Sequence, residues 1–260
     1  MDNIQEDYDW MYIVDELYQY LRLKTTPIGM KLFENKEEME VIPKIRRPRD
    51  IHTADQIVAQ AARLGWTVGI TAEDLVGPQC QVVLGLHPRN EQWLSGKDMA
   101  GVWFENELAS SRHQQEMDVV PHGRYEAMAV SPLAVGRLTP PDICMIYATP
   151  GQMILFINGL QWKYYEKFDW SVVGESSCAD SWGRALATRK PSLSIPCYAE
   201  RRYGGVLDDE LLMALPPADL VKALEGLKRL HQNGLRYPIP QYGIQMDARS
   251  GLQVSYGKGK

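Results

Sequence analysis

The sequence predicts an α/β to α+β fold, in which a mixed sheet is flanked by helices, and three observations favour this class. Apolar residues recur at helical spacing in some segments and form short runs typical of strands in others. Proline, glycine and threonine stand where these segments should begin or end. The chain has 260 residues, of which 45% are hydrophobic, so it can bury a sizeable core.

The elements are assigned in order along the chain. In the segment 53–64, for example, Thr53 can cap the start of a helix, and Gly65 can end it in the left-handed conformation. Helices are predicted at 4–23, 53–64, 79–86, 150–160, 180–188, 208–215 and 217–231. Strands are predicted at 28–33, 66–70, 124–130, 143–147, 170–173 and 192–196.

These elements predict a single globular α/β-type domain over residues 1–235, followed by an irregular C-terminal tail at 236–260. Within the segments 53–86 and 149–188, a threonine, a glutamine and a tryptophan coincide at a constant offset. Each segment is predicted to contain an apolar helix, then a strand, then a cysteine that opens another helix. An internal duplication into two like modules is one interpretation, and chance identity is the other.

Composition and charge exclude several classes of function. The formal net charge is −5, so nucleic acid is not the expected partner. No apolar run approaches the roughly 20 residues that span a bilayer. The acidic segment 1–7 lacks the basic start and the hydrophobic stretch of a secretory signal. We therefore expect a cytoplasmic protein with neither a membrane nor a nucleic-acid partner.

Cys80 and Cys178 lie at predicted turns that lead from a strand into a helix, whereas Cys197 follows the predicted strand 192–196 and precedes Arg201 and Arg202, which could also favour its thiolate. Unpaired N–H groups at a helix start favour the thiolate, which is the form that binds a metal or attacks an electrophile. Cys144 lies inside an apolar run and is predicted to be a core residue. In a reducing compartment the other three are metal ligands, reactive thiols or small buried hydrophobes.

The spacing of the cysteines limits the kind of metal site. No Cys-x-x-Cys occurs, so the usual zinc-ribbon and ferredoxin patterns are absent. A site would have to be assembled from distant segments of the chain. Three thiolates with one open position could hold zinc or an iron–sulfur cluster. The competing interpretation is that each cysteine only packs.

Acidic side chains stand just before two of the cysteine turns. Glu73 and Asp74 precede Cys80, and Glu175 precedes Cys178. They are candidate general acids or bases. Helix capping and solvated surface charge are the alternative interpretations.

Two arginines and two tryptophans are candidate contacts for a substrate. Arg201 and Arg202 could clamp a carboxylate or a phosphate, or could pair with the acidic residues 208–210. Trp170 and Trp182 flank Cys178 and could line an aromatic pocket, although core packing is the alternative use.

Four segments, 26–29, 72–86, 192–202 and 208–211, carry a resemblance to a known family, and the third is the most distinctive. The chain resembles the bacterial and archaeal family catalogued as domain of unknown function 169 over most of residues 20–232. The resemblance implies a cytoplasmic protein, often from anaerobes, with cysteines at positions like those of Cys80, Cys178 and Cys197. Many members also carry a cysteine near the helix at 53–64, which this chain lacks.

These observations together predict an enzyme or redox accessory protein, of the lyase or oxidoreductase kind, with a metal or iron–sulfur centre held by Cys80, Cys178 and Cys197. Its substrate would be a small organic molecule, aromatic if Trp170 and Trp182 line the pocket. Two alternatives stay open: a regulatory or carrier protein that binds a small molecule and has structural cysteines, and a metal-free thiol enzyme with Cys197 as nucleophile. A homo-oligomeric assembly is also compatible with the sequence.

Overall fold

The computed structural model describes residues 8–252, and its frame is one sheet of six strands. The strands pair in the order β2-β3-β1-β4-β6-β5, and all five pairings are antiparallel. The predicted sheet with flanking helices is confirmed, and its described strands are antiparallel rather than mixed. The strands are β1 (Ile28–Phe33), β2 (Val68–Thr71), β3 (Ala127–Pro132), β4 (Ile143–Ala148), β5 (Ser192–Ser194) and β6 (Leu211–Leu215).

Helices cover both faces of this sheet. The helices are α1 (Trp10–Leu21), α2 (Lys36–Glu40), α3 (Ala54–Leu64), α4 (Pro78–Val83), α5 (Glu91–Leu94), α6 (Glu107–Glu116), α7 (Pro150–Leu160), α8 (Arg184–Thr188), α9 (Tyr198–Gly204) and α10 (Pro217–Gln232). A π-helical turn at Ala179–Gly183 precedes α8. No helix within residues 8–252 is both long enough and apolar enough to cross a membrane.

The two faces of the sheet pack in separate hydrophobic clusters. Successive side chains of a strand point to opposite faces, and β4 shows the consequence. Tyr147 packs in the cluster that includes α3, α4 and the π-helical turn. We call the face of the sheet that this cluster covers the site face. Cys144 packs in the cluster that includes α1, α7 and α10, which we call the apolar face. Cys144 is fully buried there, which confirms that it is a core residue.

Close packing on the apolar face depends on two glycines. At the crossing of α7 and α10, a Cβ atom added to Gly226 would overlap the carbonyl group of Gly159. The two backbones can touch only because neither residue has a side chain.

Local chemistry explains why several elements begin and end where predicted. Thr53 and Gln56 form a reciprocal capping box at the start of α3, and Gly65 ends that helix in the left-handed conformation. Thr149 and Gln152 form the same capping box at the start of α7. The predicted bounds of β1 and α7 agree with the structure.

Two predicted elements are wrong. The predicted helix at 208–215 is strand β6, because Leu211–Leu215 is a short apolar run whose alternate residues are buried on the two faces of the sheet. The predicted strand at 170–173 is irregular and pairs with no other strand. Trp170 is 43% exposed there, so this segment does not lie in the core. The second of the two similar segments thus lacks its strand, and the duplication and the domain boundary at 235 stay predictions.

Candidate thiol and carboxyl site

Two of the predicted thiols meet on the site face. Cys80 lies in the first turn of α4, and Cys178 lies directly before the π-helical turn. Their Sγ atoms are 3.4 Å apart although 98 residues separate them in sequence. Cys178 is buried, whereas Cys80 is partly exposed. The two sulfur atoms thus belong to distant segments of the chain and meet where α4 packs against the π-helical turn.

The third predicted thiol lies in an adjacent hydrogen-bonded group. Cys197 is the N-cap residue of α9 and is 8% exposed. Its backbone N–H donates to the hydroxyl of Ser177 at 2.8 Å and to Oε2 of Glu200 at 3.3 Å. The Ser177 hydroxyl in turn donates to the same Glu200 oxygen. Because Ser177 precedes Cys178, this group connects the loop of Cys178 to the start of α9.

The loop that carries Cys178 has an unusual backbone. Ser176 is buried and has a φ of 64°, in the left-handed region that residues other than glycine rarely adopt. The π-helical turn follows at once, and its Gly183 N–H donates to the Cys178 carbonyl at 2.9 Å. A Cβ atom at Gly183 would lie 2.6 Å from the Asp118 carbonyl oxygen, so glycine is required for this approach. Strained residues and π-turns are frequent at functional sites.

Asp55 adds a buried carboxyl group to the site face. It is the second residue of α3 and is only 5% exposed. Within the described residues its carboxyl group makes no ion pair and no hydrogen bond to another residue. Burial, then the nearby carboxyl groups of Glu200 and Glu175, raise the pKa of Asp55 to about 8.

Glu200 is a second buried carboxyl group, and half of it is unpartnered. The residue is 1% exposed. Oε2 accepts the hydrogen bonds from Ser177 and Cys197, but the buried Oε1 atom has no hydrogen-bond partner among the described residues. Burial raises the pKa of Glu200, and the Ser177 hydrogen bond opposes that shift. An orphan buried carboxyl oxygen is costly unless a ligand occupies the space that it faces.

The thiols of the site are held in the protonated form. The hydrogen bond with Cys178 and burial raise the pKa of Cys80 well above its usual value. For Cys178, the hydrogen bond from Cys80 lowers the pKa, but burial and the nearby acidic groups outweigh it and give a value of about 11. Burial and Glu200 raise the pKa of Cys197 to about 12. The thiolates expected at helix starts are therefore disfavoured, because burial outweighs the helix dipole.

No described basic side chain forms an ion pair with Asp55, Glu175 or Glu200. Arg201 donates to the Pro196 carbonyl at 3.0 Å and to the Leu207 carbonyl at 2.5 Å, and so holds the turns around α9. The Arg201 guanidinium lowers the pKa of Glu200 electrostatically, but it forms no ion pair with these carboxyl groups.

The other predicted residues are spread around the site. Glu175 lies against Cys197, and burial raises its pKa. Asp74 pairs with Arg47 at 2.5 Å and caps its own 3-10 turn, in which Glu73 also lies. These contacts give Asp74 a structural role.

The aromatic candidates occupy different positions from those predicted for a common pocket. Trp182 is fully buried and packs in the same hydrophobic cluster as Cys178, whereas Trp170 is exposed. A separate surface cavity of about 760 Å³ is bordered by neither tryptophan, and its walls include Tyr164, Arg184 and Lys190.

Sequence reasoning missed several residues of the site, and one signal could have found them. Glu200 stands three residues after Cys197, which is the spacing of a capping box and predicts that the carboxyl group turns back toward the cysteine. In the sequence, Asp55 cannot be distinguished from an ordinary acidic residue in the first turn of a helix. His113 could be a ligand or a base by its residue type, but no motif spacing links it to another histidine in the sequence; its Nε2 atom lies 2.8 Å from the Glu175 carbonyl oxygen.

As the side chains stand, no group of three or more His, Cys, Asp or Glu residues within the described part of the chain is placed to hold a metal ion. The close sulfur pair supplies two donors. A third donor from Cys197, Asp55 or Glu200 would have to turn toward that pair.

Fold and site define a class, namely an antiparallel-sheet protein of mixed helix and strand content with a buried thiol–carboxyl site. Residues 16–226 match the family DUF169, described as "Uncharacterised ArCR, COG2043", and the chain belongs to that family. The resemblance inferred from the sequence is thereby confirmed.

One curated relative shares part of the sequence. The chain is 24% identical over 132 residues to the "Uncharacterized protein MJ0308" of Methanocaldococcus jannaschii. The match covers 50% of this chain and 55% of that protein, so the chain spans about half the length of the curated relative it matches. No solved structure matches the chain.

Proposed function

We propose that the protein is a cytoplasmic enzyme or redox accessory protein whose thiols Cys80, Cys178 and Cys197 hold a metal ion that acts on a small organic molecule. One observation carries this proposal. Three thiols and the carboxyl groups of Asp55 and Glu200 share the buried site face, and no described basic side chain pairs with either carboxyl group.

The electrostatics of the site favour a cation as the missing partner. Burying an ionised carboxylate or thiolate is strongly unfavourable, so these groups stay protonated while they have no counter-charge. A bound divalent cation reverses this balance, because a coordinating thiol is deprotonated outright. Metal binding would therefore release protons from the site and stabilise the fold.

The separation of the sulfur atoms supports a single ion at the pair. In a tetrahedral site with Zn–S bonds of about 2.3 Å, two thiolates lie roughly 3.8 Å apart. The Sγ atoms of Cys80 and Cys178 are 3.4 Å apart, so a small outward movement makes room for the ion. Cys197 would complete a three-thiolate set by rotating its side chain.

A centre of this kind supplies Lewis-acid or one-electron chemistry when it is loaded. Around it, Glu175 is the carboxyl group placed to move a proton, because it lies against Cys197 and is half-buried. Of the two arginines, Arg202 suits an anionic substrate. It is exposed on α9, and its guanidinium donates to the Tyr198 hydroxyl at 3.1 Å rather than to a carboxylate.

Metal analysis of protein purified without oxygen tests the proposal. We expect about one zinc or iron ion per chain, and its loss in the variants Cys80→Ala and Cys178→Ala. Cys144→Ala is the matched control, because Cys144 is buried on the opposite face of the sheet and should retain the ion. Circular dichroism and thermal unfolding establish that each variant folds. Stoichiometric metal that survives in both site variants would overturn the proposal.

The short sulfur–sulfur distance also favours a second candidate, a metal-free dithiol. The Cys80 thiol could attack a low-molecular-weight disulfide, which releases one reduced thiol and leaves a mixed disulfide on Cys80. Cys178 could then attack the Cys80 sulfur of that mixed disulfide, which releases the second reduced thiol and forms the Cys80–Cys178 disulfide. Intact mass after treatment with oxidised glutathione reports the loss of two hydrogens. A metal-free protein that gains this disulfide rapidly and reversibly would favour the dithiol over the metal centre.

A further inference from the structure

We infer that the surface cavity beside α8 is a further binding site, and that it takes a small aromatic anion, namely a planar ring that carries a carboxylate or phosphate group. The site is separate from the thiols and does not rest on the proposed function. Its volume of about 760 Å³ is within the usual range of small-molecule sites. It lies at the edge of the sheet, where the chain enters β5 at Pro191.

The loop that follows α7 forms one wall of the cavity, and three contacts hold it. At one end, Gln161 donates to the Glu166 carbonyl at 2.8 Å. At the other end, Arg184 of α8 donates to the Ser171 hydroxyl at 2.5 Å. Between them, Phe168 packs against the hydrophobic cluster of the apolar face. The wall is therefore in place before a ligand binds, and this lowers the entropic cost of binding.

The charged side chains of the walls leave a surplus of positive charge. Four are basic and three are acidic: Lys167, Arg184, Lys190, Lys222, Glu166, Asp169 and Asp219. Asp219 pairs with Lys222 at 3.0 Å, and Asp169 pairs with Lys167 at 3.5 Å. Glu166 is therefore the acidic wall residue left to balance the two cations that remain, Arg184 and Lys190. The walls thus favour an anion over a cation as the occupant.

Arg184 and Lys190 are the two cations available to that anion. Lys190 forms no ion pair with a described residue, and the carboxylate that Arg184 reaches is that of Asp118 at 3.8 Å. This distance is well beyond the roughly 2.8 Å of a charge-assisted hydrogen bond. The two side chains border the cavity from opposite ends of α8. A guanidinium and an ammonium group are the donors that proteins use to bind carboxylates and phosphates.

The aromatic side chains of the loop indicate that the anion carries a ring. Tyr164 and Tyr165 border the cavity and are 71% and 79% exposed, so their rings are open to a partner. Lys163 already lies 5.4 Å from the centre of the Tyr164 ring. Tyr165 has no such neighbour among the described residues and is the ring left for the ligand. A planar ligand would pack on it in an offset or edge-to-face arrangement.

NMR titration of the full chain with small probes tests the site. Benzoate and phenyl phosphate carry both the ring and the charge, benzamide keeps the ring without the charge, and acetate keeps the charge without the ring. We expect benzoate or phenyl phosphate to bind at least about tenfold more tightly than benzamide. Acetate should bind more weakly than benzoate by roughly fivefold or more. Whichever of the two aromatic anions binds more tightly identifies the anionic group that the site prefers.

Variants of exposed residues assign the two contacts without disturbing the core. Lys190→Met should weaken the binding of the preferred aromatic anion by about tenfold and leave that of benzamide unchanged. Tyr165→Leu should weaken both probes by roughly fivefold. Lys36→Met is the matched control, because Lys36 is an exposed lysine on α2 outside the cavity walls and its loss should change nothing. Circular dichroism establishes that each variant folds.

Several results would overturn the inference. Wild-type protein that binds neither benzoate nor phenyl phosphate has no such site. Equal binding of these anions and benzamide, or equal effects of Lys190→Met and Lys36→Met, would refute the role of the charge. Cys80→Ala should bind the anion as wild type does, and a loss of binding in that variant would place the ligand at the thiols instead. Because the thiols and the cavity are tested by different variants, the metal centre can fail while this site stands, and the reverse.

Discussion

The two faces of the sheet bury cysteines in opposite ways. On the apolar face, Cys144 is fully buried among aliphatic side chains, and burial alone raises its pKa. On the site face, Cys80 and Cys178 lie 3.4 Å apart beside buried carboxyl groups, and the orphan Oε1 atom of Glu200 belongs to the same region. The same residue type is thus a packing group on one face and part of a polar cluster on the other. The neighbours of a cysteine, rather than its burial, therefore mark a candidate site.

The largest effect should come from the close packing of the apolar face. Gly226→Ala would place a Cβ atom into the carbonyl group of Gly159, and the helices α7 and α10 would have to separate. We expect a loss of about 3 kcal/mol in the free energy of unfolding, measured by urea denaturation. Gly151→Ala is the control, because its Cβ would lie 3.7 Å from the nearest atom and should change stability by less than about 0.5 kcal/mol. Equal effects of the two changes would contradict the tight crossing.

The site face should instead respond to pH. In metal-free protein, burial and the nearby acidic groups raise the pKa of Asp55 to about 8, against about 3.9 in an unfolded chain. The stability that its protonated form provides is complete below about pH 4 and is lost as the pH rises toward 8. Asp55→Asn should remove this loss, which we expect to be on the order of 2 kcal/mol between pH 5 and 6.5.

Urea denaturation at several pH values in the presence of a chelator measures this difference between wild type and variant. Asp74→Asn is the control, because Asp74 is paired with Arg47 and lacks the buried neighbours of Asp55. Parallel pH profiles for wild type and Asp55→Asn would show that Asp55 is not destabilised by burial.

A cysteine-to-serine substitution should have different effects on stability on the two faces of the sheet. Cys144→Ser introduces a hydroxyl group into apolar surroundings and should cost about 2 kcal/mol of unfolding free energy. Cys178→Ser in metal-free protein should cost at most about 1 kcal/mol, because a carbonyl oxygen of Ser176 lies 3.6 Å from its Sγ atom and can accept the new hydroxyl. Thermal unfolding with a chelator present ranks the two variants, and the reverse order would show that the two cysteines do not differ in this way.

The sequence predicts what depends on local chemistry and misses what depends on distant partners. The helices α3 and α7 were predictable because a capping threonine and an apolar period mark them. Strand β6 was not, because a five-residue apolar run says nothing about the neighbours that pair with it. The turns carrying the three thiols could be identified from the residues before them. The burial of Asp55 could not, since it depends on packing between α3 and α9, which neither segment encodes alone.

The smallest expected difference lies between two capping boxes of the same design. On the site face, Gln56 accepts a hydrogen bond from the Thr53 N–H at 2.9 Å, and Gln56→Ala should cost about 1 kcal/mol. On the apolar face, Gln152 makes the same bond and also donates to the buried carbonyl group of Leu21 at 2.8 Å and to the partly buried carbonyl group of Arg22 at 3.1 Å. Gln152→Ala leaves those carbonyl oxygens unpaired and should cost about 2 kcal/mol. Chemical denaturation of both variants measures a difference of about 1 kcal/mol, and its absence would mean that the tie from α7 to the end of α1 adds no stability.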